Sequence, residues 1–142
     1  MANWEREASD IVKSCKSNVD IFVMSSQYGA QKRKSLLKET LMNRHRRPCL
    51  VIASHGLATD PLNLLCNDRM GDEIAWDYVV IDEGHKIKNA SSKTTKGCHR
   101  ICRSSSTHRL ILTGTPIQNN LKELHTLFDW ATAGSVLGTI RR

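Results

Sequence analysis

The sequence has no long apolar run. Its longest strongly apolar segment is Cys49 to Ala53, whereas a membrane-spanning helix needs about 20 apolar residues. Residues 1–5 contain neither the basic nor the apolar stretch that begins a secretory signal. The five cysteines are an odd number with irregular spacing, which is typical of reduced thiols in an intracellular protein. We therefore expect neither a membrane protein nor a secreted disulfide scaffold.

Disordered and fibrous classes are also excluded. The chain has only 3 prolines and 8 glycines, no low-complexity tract and no internal repeat. Its 39% hydrophobic and 25% charged residues are the proportions of an ordinary globular protein. A length of 142 residues is enough for one compact domain and too short for two.

Acidic residues are missing from one long stretch of this basic chain, whose net charge is +7. Residues 86–109 contain seven bases and no acid, and residues 31–50 contain seven bases and one acid, Glu39. Two separated basic blocks suit a polyanion such as nucleic acid, but solvated helix faces explain them equally well. The bases of the later block are Lys86, Lys88, Lys93, Lys96, Arg100, Arg103 and Arg109.

Apolar strands alternate with amphipathic helices along the chain. The strands show no polar alternation, which is typical of a parallel sheet that is covered on both faces. The sequence therefore predicts an α/β fold, a parallel sheet with helices on both faces. Strands are predicted over 19–24, 49–54, 78–82 and 109–113, and helices over 3–17, 33–43, 60–65, 91–103 and 120–128.

Two adjacent carboxylates, Asp82 and Glu83, follow the apolar strand at 78–82 and precede Gly84 and His85. Open α/β sheets place ligands at the carboxyl ends of their strands. The pair suits nucleotide hydrolysis, with Asp82 helping to hold Mg²⁺ and Glu83 orienting or activating a water molecule. The alternative is a strand that simply ends in a solvated acidic turn.

A second polar segment follows the strand at 109–113. It consists of Thr113, Gly114, Thr115 and Pro116, and then Gln118 and two asparagines before the last helix. Small hydroxyl residues beside an acidic site could hydrogen-bond a carboxylate. Composition alone favours an ordinary connection between a strand and a helix, since Gly and Pro produce such turns anyway.

Together, these two segments resemble motifs II and III of the Swi/Snf-type ATPases, the duplex-DNA translocases of helicase superfamily 2. The run from Leu112 to Leu121, which reads LTGTPIQNNL, is highly specific, because related RNA helicases have Ser-Ala-Thr at that place. The resemblance extends over the whole chain and is close from Trp76 to Thr139. Residues 127–139 resemble the subgroup of the Plk-interacting checkpoint helicase and its Cockayne-syndrome group B relatives.

The resemblance implies roles for individual residues. Asp82 would coordinate Mg²⁺, Glu83 would position the attacking water, and His85 would link the nucleotide site to motif III. The motif III residues with this coupling role are Thr113, Gly114, Thr115 and Gln118. The implied cofactors are ATP and Mg²⁺, and the implied location is the nucleus. The implied partners are double-stranded DNA and chromatin, repair or mitotic proteins.

Weaker matches concern DNA binding. The segment containing Trp4 resembles the motif Ia region of the family, and Ser54 ends a strand where the family has Thr or Ser followed by Tyr. His55 stands in place of that Tyr. By resemblance, these two segments would follow the DNA backbone.

One element of the family is missing from the printed residues. No Gly-x-x-x-x-Gly-Lys-[Ser/Thr] phosphate loop occurs, and the family would have it upstream of Asn3. We expect residues 1–142 to be a partial RecA-like first lobe, with the second lobe beyond Arg142, and to hydrolyse ATP poorly alone. The alternatives are a non-catalytic module that binds DNA or protein and a chain that does not fold stably.

Cys98, His99 and Cys102 have the spacing of metal ligands, but no second pair completes a four-ligand zinc site. The two cysteines lie one helical turn apart. We therefore expect them to face the core.

Overall fold

The structure is a computed structural model that describes residues 2–43, 46–60, 65–67, 73–115 and 121–135. The chain divides into two compact units, residues 1–72 and 73–142. Of the helix predicted over 60–65, residues 61–64 lie outside the described residues. The prediction that 1–142 form one partial lobe stays a prediction.

The first unit contains a pair of parallel strands with helices packed on it. Asp20 is opposite Cys49 and Met24 is opposite Ala53, so the two strands are in register along their whole length. Both helices pack against the first strand, where Phe22 and Met24 are buried. The elements are α1 (Ala2–Ser14), β1 (Asp20–Met24), α2 (Ala30–Asn43), β2 (Cys49–Ala53) and a 3₁₀ helix (His55–Thr59).

The second unit also contains a pair of parallel strands, which are shorter. Tyr78 is opposite His108 and Ile81 is opposite Ile111 in a parallel pair. The last helix packs against the second of these strands, and Trp130 is fully buried. The elements are β3 (Tyr78–Ile81), a 3₁₀ helix (Gly84–Ile87), α3 (Lys93–Ile101), β4 (His108–Ile111) and α4 (Leu121–Ala131).

The predicted α/β class is therefore confirmed, with parallel strands and packed helices in each unit. Side chains on β3 alternate between the two faces, as the strand period requires. Ile81 is buried, whereas Tyr78 and Val80 are 70% and 51% exposed, and Leu110 on β4 is 51% exposed. One face of this pair is therefore open to solvent in the described part of the chain.

Arg109 connects β4 to the ends of both helices of the second unit. Its guanidinium donates to the carbonyl of Trp130 at 2.9 Å and to the carbonyl of Cys102, and it lies 5.8 Å from the Trp130 ring centroid. Carbonyls at the end of a helix have no partner within the helix, and a cation there is favourable. This member of the basic block is therefore a structural residue.

The cysteines agree with the sequence analysis. None of the five forms a disulfide in the structure, and Cys98 and Cys102 are buried, as expected of core thiols. Among the described residues, no group of three or more side chains could hold a metal ion. Within the same residues, no helix combines the length and the apolar character needed to cross a membrane.

Helix α3 begins with a serine cap. Ser92 precedes the helix with an extended backbone, and its hydroxyl oxygen accepts a hydrogen bond from the backbone N–H of Thr95 at 3.1 Å. Thr95 is itself buried and contacts the carbonyl oxygens of Ile87 and Asn89. The cap therefore also fixes the segment that leads from the 3₁₀ helix into α3.

Replacing this cap should destabilise the chain measurably. We expect Ser92→Ala to lower the free energy of unfolding by about 1 kcal/mol, because one N–H at the helix start loses its partner. The measurement is urea denaturation followed by circular dichroism. The control is Ser91→Ala, since the exposed Ser91 bonds only to the Asn89 side chain in the described contacts, and its effect should stay within about 0.5 kcal/mol. Equal losses in both variants would contradict the capping role.

Candidate functional site

The two carboxylates predicted to be catalytic lie directly after β3, at the carboxyl end of the parallel pair. The Asp82 carboxylate is half-buried, and its Oδ1 accepts the backbone N–H of Glu83 at 2.9 Å. The Glu83 side chain is 58% exposed. One carboxylate is therefore held by its own turn, while the other projects toward solvent.

Glu83 adopts a backbone conformation that is unusual for its residue type. Its φ of 54° and ψ of 56° lie in the left-handed helical region. This region costs a residue with a Cβ about 1–2 kcal/mol, and such conformations are concentrated at functional sites. The turn starts the 3₁₀ helix, in which His85 Nδ1 lies 3.2 Å from Glu83 Oε2. His85 is thus placed to orient the exposed carboxylate.

Gly84 joins the acidic turn to the strand that leads into the second motif. Its backbone N–H donates to the carbonyl of Leu112 at 3.0 Å, and the N–H of Leu112 donates to the carbonyl of Ile81 at 2.8 Å. A Cβ at position 84 would lie 2.4 Å from Cγ2 of Ile111 and 3.3 Å from Cβ of Thr113. Only glycine fits this approach without displacing β4.

The structure therefore brings motif II against the first residues of motif III. The described contact between the two segments is made by Gly84, whereas the described ion partner of His85 is Glu83. Our sequence analysis did not single out Gly84, and the link that it assigned to His85 stays a prediction. A glycine directly after two adjacent carboxylates was the signal that could have identified Gly84.

The next described residues of motif III, Thr113 to Thr115, are joined by a local hydrogen bond. The backbone N–H of Thr115 donates to Oγ1 of Thr113 at 3.3 Å. Thr113 is half-buried, and Gly114 and Thr115 are exposed. Gln118, the fourth residue predicted to have a coupling role, lies outside the described residues.

The donor set fits a magnesium ion that also binds phosphate. Mg²⁺ is usually held by one or two protein carboxylates, with waters and substrate phosphates filling the other positions. Asp82 and Glu83 supply two carboxylates at the end of one strand. A cluster of three protein ligands, which the described residues do not contain, is not needed for such a site.

The two residues predicted to bind DNA lie in the first unit. Trp4 is on α1 and is 47% exposed. Ser54 follows β2, and its hydroxyl oxygen accepts the backbone N–H of Ser26 at 3.2 Å. The backbone N–H of Ser54 donates to the carbonyl of Met24, the last residue of β1. Ser54 therefore lies where both strands end, and Ser26 is a neighbour that the sequence analysis did not identify.

The earlier basic block divides into structural and exposed residues. Arg33 Nη1 lies 2.9 Å from Asp60 Oδ2 in a largely buried ion pair. The ammonium of Lys32 lies 3.9 Å from the centroid of the Tyr28 ring. Arg47 pairs with an aspartate at the start of β1, with 3.7 Å between Nη1 and the carboxylate. Part of the positive charge in this block is therefore neutralised or engaged.

The later basic block divides in the same way. Lys88 Nζ is 3.3 Å from Glu123 Oε1, and Arg109 binds helix carbonyls. The remaining members are exposed; they are Lys86, Lys93, Lys96, Arg100 and Arg103. His99 adds little charge to this block, because burial lowers its pKa, although Asp129, at 3.8 Å, opposes that shift.

Comparisons with known proteins agree with the family resemblance of motifs II and III. Residues 1–137 match the SNF2-related domain. The DNA excision repair protein ERCC-6-like of Homo sapiens is 56% identical over 71 residues, which is 50% of this chain and 5% of that protein. The DNA repair protein rad8 of Schizosaccharomyces pombe is 34% identical over 127 residues, or 89% of this chain and 10% of that protein.

The name of a third relative does not refer to DNA repair. The TATA-binding protein-associated factor BTAF1 of Arabidopsis thaliana is 39% identical over 127 residues, which is 87% of this chain and 6% of that protein. The chain therefore spans a tenth or less of the length of these relatives. The family match covers nearly the whole chain and includes both motifs. The chain belongs to the SNF2-related domain family.

Proposed function

We propose that this chain supplies the hydrolytic carboxylates and the motif II to motif III coupling of a first RecA-like lobe, in an ATP-dependent translocase that acts on duplex DNA. The observation that carries the proposal is the acidic turn at 82–83, which Gly84 holds against the end of β4. Membership of the SNF2-related family supports this reading.

The reaction would be the transfer of the terminal phosphoryl group of ATP to water, giving ADP and phosphate. Bound Mg²⁺ would neutralise charge on the phosphates. Asp82, which its own turn orders, would hold that ion. The exposed Glu83 carboxylate would orient the attacking water and accept its proton. His85, at 3.2 Å, would keep the Glu83 carboxylate in position.

Coupling would run through the backbone of Gly84. Any change in the turn at Glu83 moves a hydrogen bond to Leu112 and a tight contact with Ile111 and Thr113. Close-packed contacts transmit such shifts rather than absorbing them. Thr113, Gly114 and Thr115 would thereby respond to the state of the nucleotide.

The proposed partners are duplex DNA and the proteins of chromatin or repair complexes, and the proposed location is the nucleus. The support comes from the names of the relatives, which refer to DNA repair and to a TATA-binding protein-associated factor. The exposed bases of the later block give the chain a surface that suits a polyanion.

The test compares the 142-residue chain with a chimera in which residues 1–137 replace the matching region of the Arabidopsis relative. We expect DNA-stimulated ATP turnover from the chimera and little from the chain alone, because the printed residues lack the phosphate loop. A folded chimera without turnover, beside an active parent relative, would overturn the proposal.

A non-catalytic DNA-binding module is the second candidate, and the exposed bases of the later block favour it. Salt-sensitive DNA binding by the 142-residue chain, together with an inactive chimera, would support that alternative.

A further inference from the structure

Helix α3 presents a basic stripe, which we define as Lys93, Lys96, Arg100 and Arg103. Lys93, Lys96 and Arg100 follow a spacing of three and four residues, which places their side chains on one helix face. Arg103 follows directly after the helix end at Cys102. All four are exposed, and none forms an ion pair with another described residue. The opposite side of the helix is buried through Thr95 and Cys98.

The acidic residues near the basic stripe leave its positive charge available for binding an anion. The sequence has no acidic residue from Lys86 to Arg109. Of the two acids of α4 that meet this region, Glu123 pairs with Lys88, and Asp129 lies 3.8 Å from His99, whose lowered pKa leaves it little charge of its own. Neither acid forms an ion pair with a residue of the stripe in the described part of the chain, so the stripe keeps its positive charge.

We propose that the basic stripe of α3 is a sequence-independent contact surface for the phosphate backbone of duplex DNA, an inference that rests on the proposed function for its choice of partner. Lys93 and Arg100 are seven residues apart, or about 10 Å along the helix. One DNA strand has a phosphate about every 3.4 Å along the duplex axis. The stripe therefore matches a short run of phosphates in length and opposes it in charge.

The composition of the helix favours a duplex over a single strand. Surfaces that bind single strands combine positive charge with aromatic side chains on which bases stack. Helix α3 contains no Phe, Tyr or Trp, and its one imidazole, His99, contacts Asp129. Contacts from Lys and Arg to phosphates position a protein on DNA without reading its sequence.

The experiment measures binding of the 142-residue chain to a labelled 20-base-pair DNA duplex by fluorescence anisotropy over a range of salt concentrations, without nucleotide. The test variant is Lys96→Gln/Arg100→Gln. We expect its salt slope to fall by about 1.8 and its affinity at 0.1 M salt to fall by about tenfold or more, because two phosphate contacts are lost. The matched control is Lys34→Gln/Lys38→Gln, which removes the same charge from exposed positions on α2. We expect the control to bind almost as the unaltered chain does.

Four results would overturn the proposal. These are equal losses from the two double variants, an unaltered salt slope in the stripe variant, an unaltered chain that does not bind the duplex, and a preference for double-stranded RNA of the same length. Because binding is measured without nucleotide, its outcome is independent of ATP turnover by the chimera. A stripe effect beside an inactive chimera would remove the proposed enzymatic function and leave the surface in place.

Discussion

Glu83→Gln in the chimera should lower DNA-stimulated ATP turnover by about 10²–10⁴-fold, the usual contribution of a general base. The amide keeps the length and hydrogen-bonding shape of the side chain but cannot accept the proton of water. Because Glu83 is largely exposed and packs little, we expect no loss of fold. ATP binding should persist, so the change should appear in kcat rather than in KM. The measurement is steady-state phosphate release with and without duplex DNA.

The matched control for this variant is Asp77→Asn, which removes one carboxylate just before the amino end of β3. Asp77 is exposed, and its backbone carbonyl accepts the N–H of His108 at 2.8 Å, a bond that the substitution leaves in place. Turnover of this variant should stay near that of the unaltered chimera. If Glu83→Gln were as active as Asp77→Asn, the assignment of Glu83 as the water-positioning residue would be wrong.

Gly84→Ala should destabilise the chain by about 1–3 kcal/mol, the usual effect of an added methyl group in a closely packed site. The new Cβ would lie 2.4 Å from Cγ2 of Ile111 and 3.3 Å from Cβ of Thr113, so β4 or the acidic turn must move. The hydrogen bond from Gly84 to Leu112 would be strained by the same movement. Urea denaturation of the 142-residue chain measures the loss. In the chimera, DNA stimulation of turnover should decrease more than the basal rate.

Two further variants make this result specific. Gly29→Ala places a methyl group where nothing lies within 4 Å, so its stability should be equal to or slightly above that of the unaltered chain. Ile111→Ala removes the atom that the new Cβ would meet. Combined with Gly84→Ala, it should therefore cost less than the sum of the two single changes. Strict additivity would show that Gly84 and Ile111 do not interact as described.

Most of the local structure was predictable from the sequence, because it depends on residues that are close together along the chain. The four strands lie within one or two residues of their predicted bounds, since continuous β-branched and apolar runs bounded by polar residues favour buried strands. Helix α3 begins at Lys93, within two residues of its predicted start, and the structure shows Ser92 as its cap. The two motifs were found for a similar reason, because residue identity at fixed spacing is visible in the chain itself.

Composition did not predict which basic residues have ion-pair or hydrogen-bond partners and which are exposed. Arg33, Lys88 and Arg109 look like surface bases in the sequence, yet each has a partner from a distant part of its own unit. Charge counts cannot separate such residues from Lys96 or Arg100, because pairing depends on which helices and strands are adjacent. Only the tertiary structure of each unit shows which bases of the two blocks are paired and which are exposed.

By itself, the sequence determined the α/β class, the order of the elements, the buried thiols and the position of the acidic pair Asp82 and Glu83 at a strand end. The tertiary structure alone decided how the two motifs meet. Gly84 is a flexible residue in the sequence, and its role follows from the approach of β4, which leaves no room for a Cβ. The left-handed backbone of Glu83 was likewise unforeseen, because glutamate has no preference for that region and only its surroundings hold it there.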